Sequence, residues 1–209
     1  ENGPCAAPTT DDVTISLFNG NAQQADAGPD QQLCGNAATT ALAANAAVAP
    51  ATGSWSVQQG TASFTDAASP TTGVSGLSIG VNILVWSLDN GACGTSTDAV
   101  SITVYDDANP IANAGPDQQL CTPATATTLS GSALIAPATG TWTLVSGTGN
   151  IVTPGSPTTQ VNGLALGNNV FRWTVNNGPC VNGTTFDEVV ISVFSGVAQN
   201  ANAGPDQDV

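Results

Sequence analysis

The sequence predicts an all-β protein made of repeated β-sandwiches about 87 residues long, and three observations predict it. A nonapeptide recurs: "DAGPDQQLC" at 26–34 returns as "NAGPDQQLC" at 113–121, and "NAGPDQDV" at 202–209 opens a third occurrence. Short runs rich in Val, Ile, Thr and Trp are separated by Gly, Pro, Asn and Asp turns, without helical periodicity. Tryptophans and cysteines fall at matching places in each repeat.

The period is consistent along the chain. Pro29 and Pro116 lie 87 residues apart, as do "APATGSWSV" (49–57) and "APATGTWTL" (136–144). The same offset relates "SPTTGVSGLSIG" (69–80) to "SPTTQVNGLALG" (156–167). Pro205 follows Pro116 by 89, because the second repeat carries two extra residues after Cys180. At the other end "NGPC" (2–5) matches 177–180, and "DDVTIS" (11–16) matches "DEVVIS" (187–192). Self-similarity at a fixed period is the mark of a repeat architecture. The expected organisation is the closing strand or strands of one repeat in 1–24, whole repeats in 25–110 and 111–199, and the first segment of another in 200–209.

Each repeat reads as about seven strands, the number expected of an immunoglobulin-like sandwich. In the first they are "GPDQQLC", "TTALAAN", "GSWSV", "ASFTD", "GVSGLSI", "VNILVWSL" and "AVSITVY". Comparing repeats separates the two faces of a strand. Leu84, Trp86 and Leu88 become Phe171, Trp173 and Val175, whereas the intervening Val85 becomes Arg172. Large apolar residues at period two point inward, and the position that accepts a charge points to water. Val100, Ile102 and Val104 match Val189, Ile191 and Val193 in the same way, and Val13, Ile15 and Leu17 repeat the pattern. Trp55, Trp86, Trp142 and Trp173 lie in phase with these apolar positions and are expected in the cores, each able to bury ~150–250 Å². Sugar stacking is the alternative role for these rings.

Composition narrows the function. With 15 Asp and Glu against one basic residue, the net charge is −14, so phosphates cannot be neutralised and nucleic acid is excluded as a partner. An anionic membrane surface is disfavoured for the same reason, and no apolar run is long enough for a spanning helix. Charged residues make up only 8% of the chain, leaving a surface of Thr, Ser, Asn and Gln. Catalysis is not expected: there is no His and no Lys, and "DDV" (11–13) and "DEV" (187–189) place neighbouring carboxylates on opposite faces of a strand.

Five cysteines follow the period. Cys34 to Cys93 and Cys121 to Cys180 both span 59 residues, so each repeat holds one "LC" and one "NGxC" cysteine. The expected disulfides are Cys34–Cys93 and Cys121–Cys180, with the partner of Cys5 upstream. Metal ligation is the rival, disfavoured by the absence of His and of any CxxC. Paired cysteines imply an oxidising, extracellular setting.

The recurring "AGPDQ" falls between repeats. Gly28-Pro29, Gly115-Pro116 and Gly204-Pro205 each join a permissive φ to a fixed one and lead into an extended segment. The motif is read as a hinge that also begins the first strand. No cofactor is expected. Calcium is the competing reading of these joints, held by Asp30, Asp106, Asp107 and Asp117, with Asp206 following; a carboxylate capping the turn is the preferred one.

"ANAGPDQ" (112–118), "SGTG" (146–149), "SPTT" (156–159), "FRWTV" (171–175), "NGPC" (177–180) and "DEVVISV" (187–193) together resemble the PKD-like and immunoglobulin-like repeats of large Bacteroidetes surface proteins. Some of those proteins carry gliding-motility-associated or type IX secretion domains. The resemblance spans nearly the whole chain, although the "WDFGDG" core of typical PKD domains is absent. It implies export and display at the cell surface. The expected role is a structural segment of a long adhesin or filament, a disulfide-stabilised rod or fibre element. Its partners would be neighbouring repeats or identical chains, and a surface polysaccharide or another cell beyond them. A spacer or carbohydrate-binding module of a secreted polysaccharide-degrading enzyme is the alternative.

Overall fold

A computed structural model describes residues 10–17, 22–35, 38–108, 111–197, 201–202 and 204. It is all-β apart from one short 3-10 turn at Gly91–Cys93. The first repeat contributes β1 (Gln31–Cys34), β2 (Thr40–Ala41), β3 (Thr52–Gln59), β4 (Ser63–Phe64), β5 (Gly73–Ser75), β6 (Gly80–Asp89) and β7 (Thr95–Tyr105). The second contributes β8 (Gln118–Cys121), β9 (Ala126–Ser130), β10 (Thr139–Ser146), β11 (Asn150–Ile151), β12 (Thr158–Asn162), β13 (Gly167–Asn176) and β14 (Thr184–Phe194).

Each set makes a four-stranded and a three-stranded sheet. The orders β1-β7-β6-β3 and β8-β14-β13-β10 are the same arrangement, and so are β2-β5-β4 and β9-β12-β11. The chain is therefore of the immunoglobulin-like or PKD-like sandwich class, with seven strands in each set. By compactness it divides into Glu1–Gln31, Thr39–Gly76 and Asn82–Ser101 on one side, and Gln32–Ala38, Leu77–Val81 and Ile102–Val209 on the other.

The alternation read from sequence holds. Leu84, Trp86 and Leu88 on β6 are fully buried, as are Phe171 and Trp173 on β13 and Val189 and Ile191 on β14. Val85 and Arg172 sit half-exposed between them. Arg172 pairs with Glu188 at 2.6 Å and covers the Phe186 ring, but both charged side chains are 37% exposed, so the pair contributes little to stability.

All four tryptophans are buried. Trp55 tilts against Trp86 with ring centroids 5.1 Å apart, and Trp142 against Trp173 at 5.2 Å. The indoles of Trp55, Trp86 and Trp142 donate to the carbonyls of Ser69, Asn45 and Pro157. The Trp173 Nε1 is buried with no acceptor among the described residues. Residues 10–17 belong to no strand, and Val13, Ile15 and Leu17 are 84–88% exposed, unlike their buried counterparts on β14.

The buried polar residues were not foreseen, among them one asparagine near the start of a long strand in each sandwich. Asn169 accepts from Thr148 N at 2.8 Å and donates to the carbonyls of Ala165, Gly167 and Ile191. Asn82 takes the same position and accepts from Thr61 N at 3.1 Å. Each side chain ties the loop after the Trp strand to the start of the next long strand. Replacing Asn169 by Ala strands several backbone groups in the interior and should cost about 2–4 kcal/mol, measured as a lower urea midpoint at unchanged slope.

Candidate functional site

The "AGPD" motif is a locally closed turn. Asp26 and Asn113 accept from the N–H of Gly28 and Gly115 two residues on, and Asn202 does the same for Gly204. The glycines take φ of +80°, +79° and +80°. Side chains are excluded sterically too: a Cβ on Gly28 would lie 2.7 Å from Ala43 O, and one on Gly115 2.8 Å from Ser130 O. Gly115→Ala should therefore lose about 1–3 kcal/mol, visible as a lower melting temperature. Pro29 and Pro116 lead from these turns toward β1 and β8, which are edge strands. Pro205, Asp206 and Cys5 lie outside the described residues.

Three of the four aspartates considered for calcium accept from separate backbone N–H groups. Asp30 accepts from Ser101 N and Asp117 from Val190 N, both at 2.8 Å, fastening the start of the first strand to the last. Asp106 accepts from Ala108 N, and Asp107 lies beside Gly35. Among the described residues no three His, Cys, Asp or Glu are gathered as a metal site. Asp30 and Asp117 thus differ from the carboxylate expected to cap the turn: they tie the first strand to the last, and Asp26 and Asn113 cap the turn.

The cysteine pairing differs from expectation. The disulfide joins Cys34 to Cys180, 146 residues apart in sequence with Cα atoms 5.1 Å apart. Cys34 is not bonded to Cys93, and Cys121 is an exposed thiol rather than the partner of Cys180. The reason lies in strand direction. β8 runs parallel to β14, with Cys121 opposite Phe194 at its end. The "NGPC" turn, however, leads into the start of β14 at Thr184. Cys121 and Cys180 thus sit at opposite ends of an eleven-residue strand, roughly 33 Å apart at the usual rise, and a disulfide needs Cα atoms within about 7 Å. Equal spacing showed that each repeat owns both kinds of cysteine, not that they meet.

What does meet is the "LC" end of the first repeat and the "NGPC" turn of the second, both within the second compact unit. Gly35 N donates to Tyr105 O at 2.9 Å, holding the end of β1 against the end of β7. The Asn177 side chain donates to Asp106 O at 2.8 Å, and Cys180 Sγ lies 4.0 Å from Tyr105 O. Gly178, at φ +55°, rests on the Tyr105 ring; a Cβ there would come within 2.4 Å of it. The turn is self-supporting: Gly178 N donates to Asn176 Oδ1, Asn177 N to Gly183 O, and Cys180 N to Asn177 O. "NGAC" at 90–93 forms the same turn, with Gly91 N on Asp89 Oδ1 and Cys93 N on Asn90 O. The sequence signal that could have found this joint is the parallel relation of first and last strands. It places each repeat's two cysteines at opposite ends.

No protein-family model matches the sequence, and no curated protein matches it. Solved structures resemble it at low similarity. A PKD domain from the KIAA 1837 protein, determined in solution, is 26% identical over 46% of this chain and 92% of its own, with a TM-score of 0.35. The I67–I69 fragment of titin is 10% identical over 84% of this chain and 67% of its own, with a TM-score of 0.42. Extracellular domains 3–5 of Drosophila OTK are 14% identical over 87% of this chain and 62% of their own, with a TM-score of 0.45. At such scores these likenesses carry no argument, and the sandwich class rests on the sheet order above.

Proposed function

We propose that this chain is a structural segment of a long extracellular repeat protein, an adhesin or filament displayed at the surface of a Bacteroidetes-type cell. Each 87-residue repeat is one bead, with boundaries near 25, 111 and 200, and successive beads form a rod or fibre. The observation that carries this reading is the disulfide between Cys34 of one repeat and Cys180 of the next. A bond inside a bead would stabilise that bead alone, whereas this bond adds, beside the backbone, a second covalent link between the end of β1 in one repeat and the turn before β14 in the next. It also calls for an oxidising compartment, in keeping with export. Among the described residues no helix is long and apolar enough to cross a membrane.

Partners in this reading are neighbouring repeats and identical chains, and catalysis is no part of it. Negative-stain electron microscopy of the purified protein without reductant is the test. Long regular filaments, or stiff strings whose repeat matches one or two sandwiches, are the expected images. Compact particles with no preferred line of association would sink the proposal.

A further inference from the structure

We propose that one side of the second sandwich, formed by the end of β10, the chain just after β11 and the loop before β13, is a self-association surface on which a second copy of this chain packs. The inference deepens the building-block reading, on which it rests, by naming the face through which neighbouring molecules meet side by side.

Three observations carry it. The first is where charge is missing. A chain of net charge −14 repels its own copies. In the second repeat the charged residues are Asp117, Arg172, Asp187 and Glu188, and none lies between Asp117 and Arg172. β9, β10, β11 and β12 therefore carry no charge. Arg172, opposite Thr143 of β10, is neutralised by Glu188.

The second is a gathering of apolar side chains on that uncharged side. β10 is an edge strand, and its Leu144 and Val145 are 40% and 46% exposed. Trp142 N donates to Pro154 O, which brings the chain after β11, with Val152 at 55% exposure, back to this edge. Thr148 Oγ1 accepts from Ala165 N and donates to Gly163 O, holding the loop that bears Leu166, 63% exposed, beside the turn after β10. Single exposed apolar residues need no explanation, whereas a cluster marks an interaction site.

The third is a comparison within the chain. Eighty-seven residues earlier, Val145, Val152 and Thr153 are replaced by Gln58, Thr65 and Asp66 in a sandwich of the same strand order. The fold accepts polar and charged residues at these positions, so the valines of the second sandwich serve something outside it. A basic partner would be recognised by carboxylates, which this side lacks. Another acidic copy is the partner it suits, because here two copies touch without opposing carboxylates. With the same patch on both molecules, the contact is two-fold and apolar against apolar.

Sedimentation velocity over a concentration series, at low and high sodium chloride, tests this together with hydrogen exchange at both ends of the series. Non-reducing gels set aside disulfide-linked species. The wild type should pass from monomer to dimer, more readily at high salt because the remaining negative charge is screened. Amides of residues 143–153 should exchange more slowly in the dimer. Val145→Gln with Val152→Thr installs the residues of the first sandwich and should weaken the dimer about tenfold or more. Val152→Asp, which sets carboxylates against each other, should abolish it, and Val181→Ser, at the turn before β14, should leave it unchanged. A wild type monomeric at every concentration, a dimer surviving in Val152→Asp, or protection appearing away from 143–153 would overturn the surface. The exchange map of the wild type decides the matter if a variant does not fold. Strings of beads seen by electron microscopy alongside any overturning result would leave the building-block reading standing without this face.

Discussion

Cys34→Ser and Cys180→Ser should each lower the melting temperature by roughly 10–20 °C, the largest change expected of any single substitution described above. The bond closes a loop 146 residues apart in sequence, for which the chain-entropy relation gives about 5 kcal/mol of stabilisation. That figure is a ceiling, since structure persisting in the unfolded chain shortens the effective loop. Reductant should shift the wild type by the same amount and leave both variants unmoved. Cys93→Ser separates the observed pairing from the intra-repeat one. If Cys34 were bonded to Cys93, that substitution would match Cys34→Ser in cost; with the bond at Cys180, it leaves the large loop closed. Differential scanning calorimetry reads both effects.

Trp173→Ala should cost about 3–5 kcal/mol. The ring is fully buried, and two glycines are shaped around it: a Cβ on Gly140 would lie 2.3 Å from its six-membered ring and one on Gly131 2.9 Å. Backbone pressed this closely against the indole cannot easily collapse into the space it leaves, so most of the cavity remains. Trp173→Phe isolates the polar part of the effect. The Trp173 indole has no acceptor among the described residues, while the Trp86 indole donates to Asn45 O at 3.0 Å. Trp86→Phe should therefore be the more damaging of the two phenylalanine variants by about 1 kcal/mol, measured by denaturant midpoints. Equal losses would mean that Trp173 has an acceptor in solution.

Much of the sandwich was legible because it is written in period two. Leu84, Trp86 and Leu88 against Phe171, Trp173 and Val175 declare their buried face by alternation alone, and turns rich in Gly, Pro, Asn and Asp separate many of the strands. The side-chain clamps were not legible. Asn82 and Asn169 resemble surface residues in a polar sequence, and their burial depends on a loop N–H that each accepts from and, for Asn169, on a carbonyl of the neighbouring strand. Asp30 and Asp117 were visible as acidic positions, but their backbone partners, Ser101 and Val190, lie 71 and 73 residues away. The disulfide was misread for a related reason. Spacing records how far apart two cysteines are along the chain, and only the parallel register of β8 on β14 records at which end each one lies.

That register has a mechanical consequence. Once the Cys34–Cys180 bond is reduced and the second bead is pulled by its two ends, β8 is drawn one way and β14 the other, along the direction of the strands. The hydrogen bonds between them, with those from Val190 N to Asp117, then face shear together instead of opening one at a time like a zipper. Between Cys34 and Cys180 tension passes through sulfur. The chain between these cysteines, 146 positions apart in sequence and about 500 Å if drawn out, is shielded from the stretching force until that bond is cut.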